Sequence, residues 1–400
     1  MKFHVALVLT LQKDPMSVSQ RSLVCFSHLR WDFVWQRPQH LLSRAASDFD
    51  VMFIEEPEFR DGIRSHIRWR TEPSGVRVGV PTLPTSAQPS AATLMQRKLV
   101  ATAIDGQRSP VLWYYTPMAL PFSRKLVADA RVYDNMDELS AFRGASPRLL
   151  SLERQLFEMS DLVFVGGQSL YEAKQARHAN MHCFPSSIDV KHFGRARLAL
   201  DEPGDQKQIP HPRLGFFGVI DERFDASLLA RAARLRPDWH FVMIGPVVKI
   251  DPADLPRLPN IHWLGQKRYD ELPSYLAGWD LGLMPFALND ATRFISPTKT
   301  PEFLAAGLGV VSTAIRDVVR PYGELGLVRI AEGPEDFARY AAELLEQPRT
   351  PWLRKVDAFL ARNSWDLTWQ QMRSEIEKVL TRRFLNLSHP KGAESERARV

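Results

Sequence analysis

Cysteine is scarce: the 400 residues hold two, Cys25 and Cys183, and neither has a CxxC partner. That excludes a disulfide framework, argues against a thiolate metal site, and fits a reducing, cytoplasmic setting. No apolar run is long enough to cross a bilayer. The chain has no G-x-G-x-x-G and no G-x-x-x-x-G-K-[ST], which disfavours dinucleotide and P-loop NTPase chemistry. It also lacks a dense Lys/Arg run or a nucleic-acid-binding signature, so nucleic acid is not an expected partner. No metal site emerges, because His178 and His182 stand at i,i+4 without a carboxylate to complete a ligand set.

What is present is ordinary for a folded protein, with 44% hydrophobic and 24% charged residues. The length suits two domains better than one core. A formal charge of +6 and a pI near 9.3 favour anionic partners such as nucleotides or phospholipid head groups, the latter through a peripheral contact at the inner face of the membrane. The short apolar run Phe3 to Leu11 reads as part of a flexible leader over 1–20, with the ordered fold starting at Arg21.

Apolar strand-like runs alternate with helical patterns along the rest of the chain. Ser22 to Phe26, Val51 to Ile54, Val111 to Tyr115 and Leu162 to Val165 read as strands, and Arg37-Pro38 opens a helix. Ser169 and Glu172 have the spacing of a capping box for another helix. Residues 60–110 give no clear assignment. Residues 197–212 are polar and Pro-containing and read as a linker between a first domain, 21–196, and a second, 213–351. The second half repeats the alternation, from the strand Leu214 to Val219 to the helix Pro334 to Leu345. This pattern predicts two doubly wound α/β domains facing across a cleft, whose walls are the carboxyl ends of the strands. Helices over 352–380 follow, and 381–400 reads as a disordered tail.

Three constellations carry chemistry. In Ser296-Pro297-Thr298-Lys299-Thr300-Pro301-Glu302, Ser296 reads as an N-cap, Pro297 as the first helical residue, and Lys299 as a first-turn residue. A lysine there opposes the helix dipole unless an anion lies between it and the free N–H groups. Glu302 sits one turn on and could take ribose hydroxyls, although an ordinary solvent-facing Lys–Glu pair has the same spacing. Gly218 and Asp221 after one strand, Gly245 after the next, and Lys267 after the third place small or polar groups at strand ends. In the first half, Asp134 and Asp137 lie just past a strand end, where either a turn-capping role or a general base is expected. His28, Trp31 and Asp32, with Trp35 and His40 nearby, form a polar-aromatic loop suited to an acceptor sugar or to core packing.

The run Phe26 to Leu41, the segments Tyr133 to Ser140 and Phe184 to Asp189, and the stretches Gly215 to Asp225 and Ser296 to Gly307 resemble bacterial glycosyltransferases of the teichuronic-acid group. The likeness spans roughly 22–380 and extends more distantly to the glucuronosyltransferases of xanthan synthesis. It implies a GT-B fold, a nucleotide-diphospho-sugar donor such as a UDP-sugar, and a carbohydrate or lipid-linked acceptor in cell-surface polysaccharide synthesis. No cofactor or obligatory metal is implied. By motif position the base falls on Asp137, with Asp134 as competitor, and the donor is held by Lys299 and Glu302. The segment at Trp365 resembles the helix that crosses back to the first domain. Many retaining relatives carry two glutamates spaced E-x7-E; Glu302 fills the second place but Phe294 the first, which favours inversion. A non-hydrolysing epimerase of the same fold and a non-catalytic nucleotide-sugar-binding module are the alternatives.

Overall fold

A computed structural model describes residues 21–105 and 110–388; the expected leader over 1–20 and the tail beyond 388 lie outside the described residues. The first sheet has nine strands: β1 (Ser22–Phe26), β2 (Asp50–Ile54), β3 (Glu58–Arg60), β4 (His66–Thr71), β5 (Arg77–Pro84), β6 (Val111–Tyr114), β7 (Ala130–Asn135), β8 (Leu162–Val165) and β9 (Met181–Cys183). Their order is β3-β5-β2-β1-β6-β7-β8-β9, parallel throughout except for β4, which pairs antiparallel with β5. The second sheet comprises β10 (Arg213–Phe217), β11 (His240–Ile244), β12 (Ile261–Gly265), β13 (Leu281–Met284), β14 (Gly309–Thr313) and β15 (Arg329–Ala331), in the order β12-β11-β10-β13-β14-β15 and all parallel.

The central strands are continuous apolar runs because helices cover both faces of each sheet. Run length, rather than a two-residue alternation, therefore marks these strands in the sequence. Residues 60–110 were illegible for the opposite reason. Strand β4, HIRWRT, sits on an edge with mostly exposed residues, and the helix Pro89–Ala103 buries only Ala92 and Val100.

Two expected boundaries move. Ile188, Phe193 and Ala196 belong to the apolar core of the second domain, so the chain crosses over before residue 188 rather than at 197. The segment 197–212 is no free linker: Ile209 joins that core, and buried Gln206 accepts from Trp279 Nε1 (2.7 Å) and donates to the Tyr275 carbonyl (3.0 Å). At the other end, the last helix runs Trp365–Ser388, eight residues into the expected tail. It returns to the first domain, where Trp365, Trp369, Met372 and Ile376 are buried with Leu23, Trp113 and Phe164. Trp369 Nε1 donates to Asp48 (2.8 Å), and Arg44 pairs with Asp366 (2.7 Å). No described helix is long and apolar enough to cross a membrane.

Candidate active site

Both sheets point the carboxyl ends of their strands into the space between the domains, where two adjoining chambers lie. The larger, about 530 Å³, is bounded by Trp31 to Trp35 of the first domain and by Gly218, Gly245, Gln266 to Tyr269 and Glu302 of the second. The smaller, about 150 Å³, is bounded by Arg37, Asp137, Ser186, Arg223, Ser296 and Thr298. Val34, Trp35, Gly218 and Lys299 line both and form the partition.

The domains meet around these chambers. Gln266 donates to the Phe33 carbonyl (2.5 Å), Trp35 stacks on Tyr269 (5.3 Å between centroids), and Ser186 Oγ donates to the Ser296 carbonyl (2.6 Å). The Ser169/Glu172 capping box is absent. The backbone N–H of Ser169 donates instead to Asp317 Oδ1 of the second domain (2.9 Å), and Glu172 pairs with Arg316 (2.5 Å).

Gly218 and Gly245 end β10 and β11 with φ of +144° and +147°, a region that side chains disfavour. A Cβ on Gly245 would lie 1.7 Å from the Gly218 carbonyl oxygen, and one on Gly218 would lie 3.1 Å from Lys299 Cε. Two bare backbone turns thus form the floor beside Lys299. Gly245→Ala is expected to destabilise the fold by about 1–3 kcal/mol, read by denaturant unfolding, because clash and strain act together.

The helix after β13 starts later than expected. It spans Lys299–Ala305, with Thr298 as N-cap and no capping side chain, so Ser296 and Pro297 lie in the loop before it. Lys299 is therefore the first helical residue, and its Nζ donates to Glu302 Oε2 and Thr298 Oγ1, both at 3.0 Å, over the Phe217 ring. The pair does not face solvent, since Glu302 is 3% exposed. Burial raises the Glu302 carboxyl above its usual range, opposed by Lys299. Among the described residues no partner holds Oε1, which leaves one acceptor toward the larger chamber.

Asp134 and Asp137 part company. Asp134 is inside β7 and fully buried, gripped by Arg37 through Nε (3.1 and 3.0 Å) and Nη2 (2.8 Å), while Arg37 Nη1 donates to the Phe184 carbonyl (2.7 Å). It borders neither chamber, so its candidacy as base is corrected to a structural ion pair. Asp137 lies two residues beyond β7 on the wall of the smaller chamber. Burial lifts its carboxyl to about 6, with Arg223 and Arg37 pulling it down and Asp221 pushing it up.

Asp221, expected to touch the donor, borders neither chamber. It is 3% exposed and holds Arg223 through Nε (2.9 Å) and Nη2 (2.7 Å), and Arg223 is the group on the chamber wall. The sequence signal for Arg223 is an acid followed two residues later by arginine just after a glycine turn, and it is the arginine, not the acid, that reaches the chamber. Lys267 borders the larger chamber with its charge already paired to Asp205 (2.6 Å).

The acceptor loop also changes. His28 borders neither chamber, and burial followed by Lys249 holds its imidazole down at about 4, so the ring stays neutral. Trp31 is a core residue, 4% exposed against Phe53. Asp32 borders the larger chamber, pairing outward with Arg70 (2.7 Å). Buried His40 stacks on Trp365 (4.7 Å), fastening the last helix to the loop. Among the described residues no group of three His, Cys, Asp or Glu is placed to hold a metal ion.

Residues 211–347, which carry the second sheet, match the family model described as Glycosyl transferases group 1. Over 302 residues the chain is 26% identical to a protein of Bacillus subtilis (strain 168) assigned as the teichuronic acid biosynthesis glycosyltransferase TuaH, covering 69% of this chain and 73% of that one. Sucrose-phosphate synthase from Thermosynechococcus elongatus superposes with a TM-score of 0.63 at 14% identity, over 91% of this chain and 100% of that one. Anabaena HepE in complex with UDP-glucose gives 0.64 at 14% identity, over 89% and 99%. The architecture is GT-B, and the resemblance to the teichuronic-acid group stands. The solved structures show the fold, and the family match with the Bacillus subtilis relative supports a glycosyltransferase.

Proposed function

We propose that the chain transfers a sugar from a UDP-sugar to a hydroxyl of a carbohydrate or lipid-linked acceptor, with inversion at the anomeric carbon. The observation that carries this reading is the smaller chamber, whose wall sets one carboxylate, Asp137, among three cations, Arg37, Arg223 and Lys299, of which Arg37 is already paired with Asp134. The nucleoside occupies the larger chamber, with a ribose hydroxyl on Glu302, and its diphosphate lies at the partition over Gly218 and Lys299. That route puts the bare backbone of Gly218 and the Lys299 cation beside the diphosphate and leaves the aromatic walls of the larger chamber to the nucleoside.

In the reaction, Asp137 takes the proton of the acceptor hydroxyl as its oxygen bonds to the anomeric carbon. The bond from that carbon to the phosphate oxygen breaks, and UDP leaves. Lys299 and Arg223 stabilise the charge growing on the departing diphosphate, Arg223 being held in place by Asp221. Inversion is supported at the position of Phe294, which packs against the core of the first domain and puts no second carboxylate on a chamber wall. HepE, of the same fold, binds UDP-glucose, which supports the donor class. The net charge of +6 supports an anionic acceptor surface, such as lipid head groups at the inner face of the membrane.

Lys299→Ala is expected to weaken UDP by about 10–100-fold, the worth of a charge-assisted hydrogen bond, while uridine binding changes little. Titration calorimetry with the two ligands decides it. Equal loss for both, or none for UDP, sinks the phosphate assignment.

A further inference from the structure

Asp137 sits on a short irregular turn after β7, where no sheet or helix fixes its position. A buried network reaches that turn from behind. Asn135 Nδ2 donates to the Asp137 backbone carbonyl and to Tyr133 Oη, each at 2.9 Å. Tyr133 Oη donates to Glu153 Oε1 (3.0 Å), and Lys174 Nζ donates to the same oxygen (2.6 Å). Lys174 also pairs with Glu138 Oε2 (2.8 Å), the residue next to Asp137, and Glu138 Oε1 accepts from Ser140 (2.5 Å). The circuit closes on itself: it leaves the turn at Asp137 and returns to it at Glu138.

The side chains of Lys174 and Glu153 are each 2% exposed. A lysine buried this deeply carries a desolvation cost that an apolar residue would avoid. Its two carboxylate partners come from different elements, the helix Leu149–Met159 and the turn itself, so the cation ties the helix to the turn. Charge does not link Lys174 to Asp137 directly, because the cations that act on the Asp137 carboxyl are Arg223 and Arg37.

We propose that Lys174 is a positioning residue: through Glu153, Tyr133 and Asn135 on one side and Glu138 on the other, it fixes the Asp137 turn where the carboxylate meets the acceptor hydroxyl. This rests on Asp137 being the base. A carboxylate displaced by about 1 Å loses on the order of 100-fold in rate. Donor binding is expected to change little. Lys299, Glu302 and Arg223, the charged groups assigned to the donor, are on the second domain, and the first-domain residues Trp31 to Trp35 of the larger chamber lie outside the circuit.

The test uses Lys174→Met and, in case that variant folds poorly, Tyr133→Phe, which removes only the hydroxyl in the circuit. Rates are counted per UDP-binding site from calorimetry, so loss of folded protein does not enter. The expected result is a 10–100-fold fall in kcat for Lys174→Met and a smaller fall for Tyr133→Phe. Donor KM and the acid limb of the pH profile near 6 stay in place, a split that general destabilisation does not produce. Combined with Asp137→Asn, Lys174→Met adds no further loss. Wild-type kcat per site in both variants overturns the positioning role even when Asp137→Asn is slow. Full activity of Asp137→Asn would instead remove the base assignment on which the proposal rests.

Discussion

Asp137→Asn lowers kcat by about 10²–10⁴-fold, the usual contribution of a positioned general base, while UDP binding stays near wild type. The same change makes the folded protein more stable at neutral pH. Burial raises the Asp137 carboxyl from 3.8 to about 6, so the folded state holds this proton more tightly than the unfolded chain does. The group therefore favours folding most below 3.8 and loses that contribution as pH rises to about 6. An asparagine never ionises, so its advantage grows through that window and is level above it. Thermal midpoints from pH 4 to 8, set beside rates, check both halves. In the wild type, kcat/KM falls on the acid side with a midpoint of about 6 as the base is protonated. A variant that is slow and also less stable at pH 7 would mean that the carboxylate has a structural role.

Asp134→Ala gives the opposite signature. Removing this carboxylate leaves Arg37 as a buried cation without its counter-charge, which costs about 3–5 kcal/mol. Urea unfolding reads the loss directly. The double variant Arg37→Met with Asp134→Leu recovers part of it, since two apolar groups need no partner. Had Asp134 been the base, Asp134→Asn would remove turnover at nearly unchanged stability, so the two aspartates are separable by one pair of measurements.

The fold was legible where run length and turn chemistry agreed. Strands β1, β7, β8 and β10 were visible as short apolar runs ending at polar or glycine turns. The exposed edge around β4 was not, because an edge strand buries too little to impose a pattern. In the site, Lys299 was legible for a physical reason, its misfit with the helix dipole, and Glu302 followed from spacing. Asp221 and His28 misled because a polar residue near a strand end has two places to point, and sequence does not say which. Asp221 turns to Arg223, and His28 turns inward. The rivalry of Asp134 and Asp137 was undecidable in the same way. Their alternation about the end of β7 becomes meaningful only once Arg37, far off in sequence, closes on one of them. The circuit through Lys174 was invisible, as its members lie on β7, the turn after it and two separate helices.

The return of the last helix has a consequence for how the chain is made. Trp365, Trp369, Met372 and Ile376 complete a core whose other members lie before residue 190. In synthesis order, the whole second domain is an insertion within the first. The first domain emerges from the ribosome early but with an open apolar flank, and it must wait for nearly the entire chain before that flank is covered. The second domain, by contrast, has all its strands within Arg213–Ala331 and can close as soon as it is made. The usual order, in which the earlier domain folds first, is therefore expected to be reversed for this chain. A product truncated before Trp365 would carry a complete second domain beside a first domain whose core is still open.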